Sequence, residues 1–132
     1  MRQSPLLEFA SSGFPVTPGE DSETNPGIFG KALAHWLAEQ LRSAGIPAGD
    51  VIAEDFGWCI PVQSSPHSLY VVCASTSDDT GEWRVFAFAE GGFVARLIGR
   101  DRSVEALGEL YRVVKTSIEQ APATHDVREV AE

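Results

Sequence analysis

Phe29, Leu33, Trp36, Leu37, Leu41 and Ala44 recur every three or four residues, while Lys31, His35, Glu39 and Arg42 fill the opposite side. That period predicts an amphipathic helix. Thr24-Asn25-Pro26 supplies a start signal, with Asn25 as the cap and Pro26 where a missing N–H costs nothing, and Gly45 supplies the stop. About twenty residues at 1.5 Å rise each would give a helix of about 28 Å. Ahead of it, Leu6-Leu7-Glu8-Phe9 reads as a first strand, and residues 11–27, with three prolines and three glycines, read as a long loop.

Beyond Gly45 the period shortens. Val51-Ile52-Ala53-Glu54, Trp58 to Val62, Leu69 to Ala74 and Glu82 to Ala89 are β-type runs separated by short polar turns, which predicts an antiparallel meander. Pro61 cannot donate to a ladder, so its strand is expected to have a free edge or a bulge there. After Gly91-Gly92, Phe93 to Ile98 reads as a short helix. Val104, Leu107, Leu110, Tyr111, Val114 and Ile118 then mark one face of a final helix that ends at Ala121-Pro122. The order β-α-β-β-β-β-α-α predicts an α+β domain over residues 1–122. Its mostly antiparallel sheet of four to five strands carries a long N-terminal helix and a C-terminal helix on one face. Residues 123–132 are expected to be a frayed tail.

Charge narrows the function classes. Ten basic residues against nineteen acidic ones leave a formal net charge of −9. Affinity for a phosphate backbone rests on Lys and Arg, so nucleic acid is not an expected partner; a basic protein is. No apolar run approaches the length of a membrane span and no targeting segment is visible, so membrane association is not expected and the cytoplasm is the expected compartment. Two cysteines do not make a secreted disulfide framework, and they read as small buried hydrophobes.

Candidate chemistry gathers in two acidic segments. Glu20, Asp21 and Glu23 lie in the long loop, and Glu54-Asp55 precede Gly57-Trp58. Adjacent carboxylates can move each other's pKa, but neighbours on a strand point to opposite faces, which is poor geometry for a shared catalytic site. The loop cluster lacks the spacing of a calcium loop, and acidic residues before a helix complement its positive end anyway. His35, His67 and His125 are scattered, so no metal or cofactor is expected. A turn centred near Pro66 would let Cys59 and Cys73 lie opposite each other on one hairpin face, which would allow a cross-strand thiol pair with His67 too remote to join it; buried free thiols are the expectation. No nucleophile elbow, phosphate-binding loop or dinucleotide fingerprint is present.

Residues 23–34, Glu-Thr-Asn-Pro-Gly-Ile-Phe-Gly-Lys-Ala-Leu-Ala, together with Glu54-Asp55-Phe56-Gly57-Trp58-Cys59, resemble a group of small bacterial proteins of uncharacterised function. In that group Glu-Thr-Asn-Pro-Gly precedes the first helix and Glu-Asp-Trp-Gly-Trp follows it; Phe56 stands at the first Trp. The resemblance covers roughly residues 6–118 and implies a bacterial origin without an activity. The expected function is an acidic protein-binding module, of the kind that immunity or inhibitor proteins are. Its contact residues would be Glu20, Asp21, Glu23, Glu54, Asp55 and Trp58. The alternatives are a small enzyme or ligand-binding domain built on Glu54, Asp55 and Trp58, and a homodimer formed through the strand that carries Pro61.

Overall fold

The computed structural model describes residues 2–64, 67–76, 81–90 and 103–130. The chain is α+β, with one antiparallel sheet and two α-helices among these residues. In chain order the elements are β1 (Arg2–Gln3), β2 (Leu6–Ser11), α1 (Lys31–Ser43), β3 (Ile52–Glu54), β4 (Gly57–Ser64), β5 (His67–Ser75), β6 (Glu82–Glu90), α2 (Ser103–Glu119) and β7 (Thr124–Val130). Across the sheet the order is β3-β4-β5-β6-β2-β7, with β1 also paired to β6. The sheet is therefore six lanes wide, larger than the four to five strands expected. Pro5 cannot donate to the ladder where β1 gives way to β2, and Ser4 bridges the gap by exchanging bonds with Ala87.

Register rows explain the core. Trp58, Cys73, Val85 and Leu7 lie opposite one another across four lanes, and Ser75, Trp83 and Phe9 across three. Each row points to the same side, where Leu33, Leu37 and Leu41 of α1 and Leu107, Leu110, Val114 and Ile118 of α2 close over it. The final helix and the buried stripes of both helices follow the expected period.

The first helix is shorter than its pattern suggested. It has 13 residues and begins at Lys31, not at Pro26. Pro26-Gly27 is a turn and Gly30 has a φ of 146°, so residues 26–30 leave the helical path before α1 starts. Asn25 caps nothing; its side chain is engaged elsewhere. At the other end Gly45 stops the helix as expected. The Ile46 N–H donates to the Leu41 carbonyl and the Gly45 N–H to that of Arg42, the bond pair of a Schellman motif.

Residues 124–130, expected to fray, form β7 along the edge of β2. On this strand Val127 packs against the core, while most other positions are exposed, so the apolar signal of the strand is weak. The Tyr111 hydroxyl on α2 donates to the Glu129 carboxylate and ties the strand down. The short helix expected over Phe93–Ile98, and the Gly91-Gly92 pair, lie outside the described residues. The Gly49 N–H donates to the Pro61 carbonyl, so the donor that Pro61 lacks falls on the β3 side, where β3 has already ended.

One consequence concerns α1. Trp36 packs its ring 5.4 Å from that of Phe14, while His35 is exposed. Trp36→Asp is expected to cost about 3 kcal/mol of unfolding free energy in urea titrations, and His35→Asp less than about 0.5 kcal/mol.

Candidate functional site

The acidic loop folds back onto the start of α1. A single 3₁₀ turn, Glu20–Ser22, points Glu20 inward until only 4% of it is exposed. One carboxylate oxygen accepts from the Thr17 N–H at 2.9 Å, and the other accepts from the Gly30 and Lys31 N–H groups at 3.0 Å each. These are the donors that a helix start leaves unpaired, so Glu20 caps α1 from a distance in sequence. Asp21, half-buried, accepts from the Gly27 N–H, and the Thr24 hydroxyl donates to the Ile28 carbonyl. Ser75, at the end of β5, accepts from the Phe29 N–H, donates to the Gly27 carbonyl and bonds the Phe29 carbonyl through its own N–H.

The second acidic segment is the β3–β4 turn. The Asn25 amide donates to the Asp55 carbonyl at 2.7 Å, which joins the two segments across thirty positions of chain. Gly57 lets the turn lie flat on β5: a Cβ there would stand 2.9 Å from the Cys73 carbonyl oxygen. Phe56, at the crest, is 51% exposed, and Glu54 and Asp55 beside it are exposed as well. Glu23 is exposed and lies 3.9 Å from the Lys31 ammonium.

Of the six sequence-predicted contact residues, Glu23, Glu54 and Asp55 reach the surface at this rim and Asp21 is half-buried. Glu20 and Trp58 do not: both are buried, Glu20 as the cap and Trp58 in the core row. Trp58 carries the Lys31 ammonium 5.4 Å above its ring, and among the described residues its indole N–H has no hydrogen-bond partner. Trp58 pairs with Cys73 on the helix-covered face, whereas Glu54 pairs with Gly57 on the opposite face. Glu54, Asp55 and Trp58 thus do not converge as a shared catalytic site would require. Phe56 escaped the sequence reading because Trp58, two positions on, made it look like part of the strand pattern; only the turn at Asp55-Phe56, which ends β3 and starts β4 at Gly57, lifts it out of the core.

Cys59 and Cys73 are free and buried, on opposite faces of the sheet: Cys59 pairs with Val72, and Cys73 with Trp58. The face-sharing arrangement does not form because Ser64 pairs with His67, a register one residue away from the one that would set Cys59 opposite Cys73, and such a slip moves one cysteine to the other side. Burial pushes the Cys59 thiol up to about 12, with the nearby Glu54 charge adding to it, and burial pushes Cys73 up as well. Neither thiol should react with iodoacetamide at neutral pH until the protein unfolds, as mass spectrometry of the alkylated chain would show. A thiol that holds its proton in the folded state to a higher pH than in the unfolded chain makes the unfolded chain the better acid. Stability is therefore expected to fall as pH rises above about 9, over the range toward 12.

A groove of about 920 Å³ runs between α1 and α2 over Val62 and Leu69, near the end of β4 opposite the acidic turn. Among the described residues no group of His, Cys, Asp or Glu is arranged to hold a metal ion, and no helix is long and apolar enough to cross a membrane. No family model, curated protein or solved structure matches this chain.

Proposed function

We propose that this chain is a protein-binding module, of the kind immunity and inhibitor proteins are, whose contact surface is the rim around Phe56. The observation that carries the reading is an exposed aromatic side chain set among exposed carboxylates, Glu54 and Asp55 beside it and Glu23 on the loop bonded to its turn. An aromatic ring that is buried on association is the usual energetic centre of an interface, and surrounding charge of one sign selects and steers an oppositely charged partner. The partner surface is therefore basic, with an apolar recess for the ring. Glu20 and Trp58 support this rim from beneath and do not touch the partner.

The test is affinity capture from a bacterial lysate at low and high salt, followed by binding kinetics with the purified partner. A basic protein is expected, held at low salt and released as salt rises. Phe56→Ala should weaken binding about tenfold or more while leaving stability within about 0.5 kcal/mol. Asp55→Asn and Glu23→Gln should act mainly on the association rate. Capture of no basic protein at any salt concentration, or a partner indifferent to Phe56, overturns the reading.

A further inference from the structure

The two outer lanes of the sheet, β3 and β7, are built differently. β7 has the marks of a guarded edge: its register against β2 shifts between Glu8 and Ala10, Asp126 beside the shift has a φ of 57°, and Arg128 is tied to Glu8. β3 pairs with β4 in unbroken register through Ile52, Ala53 and Glu54, and it holds neither proline nor lysine. Among the described residues no strand lies on its outer side. The two-residue turn Asp55-Phe56 closes on Glu54 and Gly57, which makes them the hydrogen-bonded pair at the hairpin end. Alternation along the ladder then turns the Ala53 N–H and C=O away from β4, toward the open side. Two residues on, the Asp55 carbonyl already receives a donor from outside the sheet, the Asn25 amide at 2.7 Å.

The side chains around these groups select the occupant. Ile52, 41% exposed, and Glu54 stand two positions apart on one face of β3, with Phe56 just beyond them. Asp50, Glu54 and Asp55 are exposed, and among the described residues none of their carboxylates has an ion-pair partner. A second copy would bring the same unpaired carboxylates against them, so the edge repels its own kind. An extended segment with positive charge satisfies backbone and side chains together. We propose that the partner of the Phe56 rim docks by strand addition: a basic extended segment pairs antiparallel with β3, setting an apolar side chain opposite Ile52 and a lysine or arginine, two residues along, opposite Glu54. This rests on the reading of the Phe56 rim as the contact surface and adds how the partner is held. Because β3 is three residues long, Ala53 supplies only two backbone bonds, and the flanking side chains with the Phe56 ring supply the rest.

The probe is a synthetic peptide, acetyl-Thr-Lys-Thr-Val-Thr-Lys-Thr-amide, whose two lysines and valine share one face when extended. It is titrated into the full chain while backbone amide NMR shifts are followed. Shifts are expected along residues 52–57 and not along β7, and they should fade as salt rises. N-methylation of the two threonines flanking the valine blocks the donor that faces Ala53 and should weaken binding about tenfold or more. N-methylation of the valine, whose N–H points away, should not. Glutamate in place of both lysines should abolish binding. Ala53→Pro removes the outward N–H and no bond to β4, so binding should fall about tenfold in a chain that urea titration shows to be folded. No binding, binding indifferent to threonine N-methylation, or equal binding by the folded Ala53→Pro chain overturns strand addition; the N-methylated peptides decide it on the native chain if Ala53→Pro unfolds. Capture of a basic protein that depends on Phe56 but not on Ala53 overturns strand addition and leaves the rim reading standing, whereas indifference to Phe56 overturns the rim reading itself.

Discussion

Replacing Glu20 with alanine is expected to lower the unfolding free energy by about 3 kcal/mol or more, because three backbone N–H groups lose a charged acceptor at once. A domain of this size is held by about 5–15 kcal/mol in total, so the loss is a large share of its stability. The effect should not stop at α1. The same loop carries Gly27 and Phe29, which bond Ser75, and Asn25, which holds the Asp55 carbonyl. Freed of its anchor, the loop should exchange its amide hydrogens fast while the β4–β5–β6 ladder stays protected. Glu20→Gln keeps one carbonyl acceptor and should cost about half as much. Urea titration with hydrogen exchange on each variant checks both parts. A loss below 1 kcal/mol, or exchange that rises evenly over the molecule, would show that the cap is not what holds the loop.

Gly30→Ala should be comparably damaging for a different reason. A Cβ at this position would stand 2.8 Å from the Cys73 carbonyl oxygen and 3.1 Å from its carbon, and both belong to the backbone of a central strand. The residue also sits at φ 146°, where a side chain is strained. Strain of about 1–3 kcal/mol and overpacking of similar size predict a total of about 2–5 kcal/mol. Gly45→Ala is the internal control: its φ is also positive, at 84°, but nothing lies within 4 Å of the added methyl, so about 1 kcal/mol is expected. Gly30 is also one of the donors to Glu20, so the double variant Glu20→Ala/Gly30→Ala should cost less than the two single losses together. Thermal or urea denaturation of the four chains decides it, and equal costs for Gly30→Ala and Gly45→Ala would refute the close approach to β5.

Both predictions concern the segment that the chain pattern misrepresented. Asn25-Pro26 has every local mark of a helix start, yet Gly27 and Gly30 take backbone angles that no helix contains, and the cap comes from Glu20. That substitution is invisible in sequence because a capping side chain is expected immediately before the helix, not ten residues upstream. The runs Glu23–Gly27 and Glu54–Trp58, far apart in sequence, also meet in the fold, since Asn25 of the first holds the Asp55 carbonyl of the second. The exposure of the six candidate contact residues was only partly legible. Glu23, Glu54 and Asp55 lie at one rim, whereas Glu20 and Trp58, of the same residue types that make contacts elsewhere, serve the interior.

Local sequence alone determined the strands of the meander, the buried stripes of both helices and the Gly45 stop. Each of these depends on a period of two or 3.6 residues, or on one glycine, and such signals survive without knowledge of distant neighbours. Tertiary structure decided the rest. It placed β7 beside β2, where a mostly exposed edge strand needs little apolar pattern. It put Cys59 and Cys73 on opposite faces through a one-residue register shift of one hairpin. It also turned Glu20 inward and left Phe56 outside. Those outcomes depend on which backbone donors and which side chains meet across long stretches of chain, and no window of neighbouring residues contains that information.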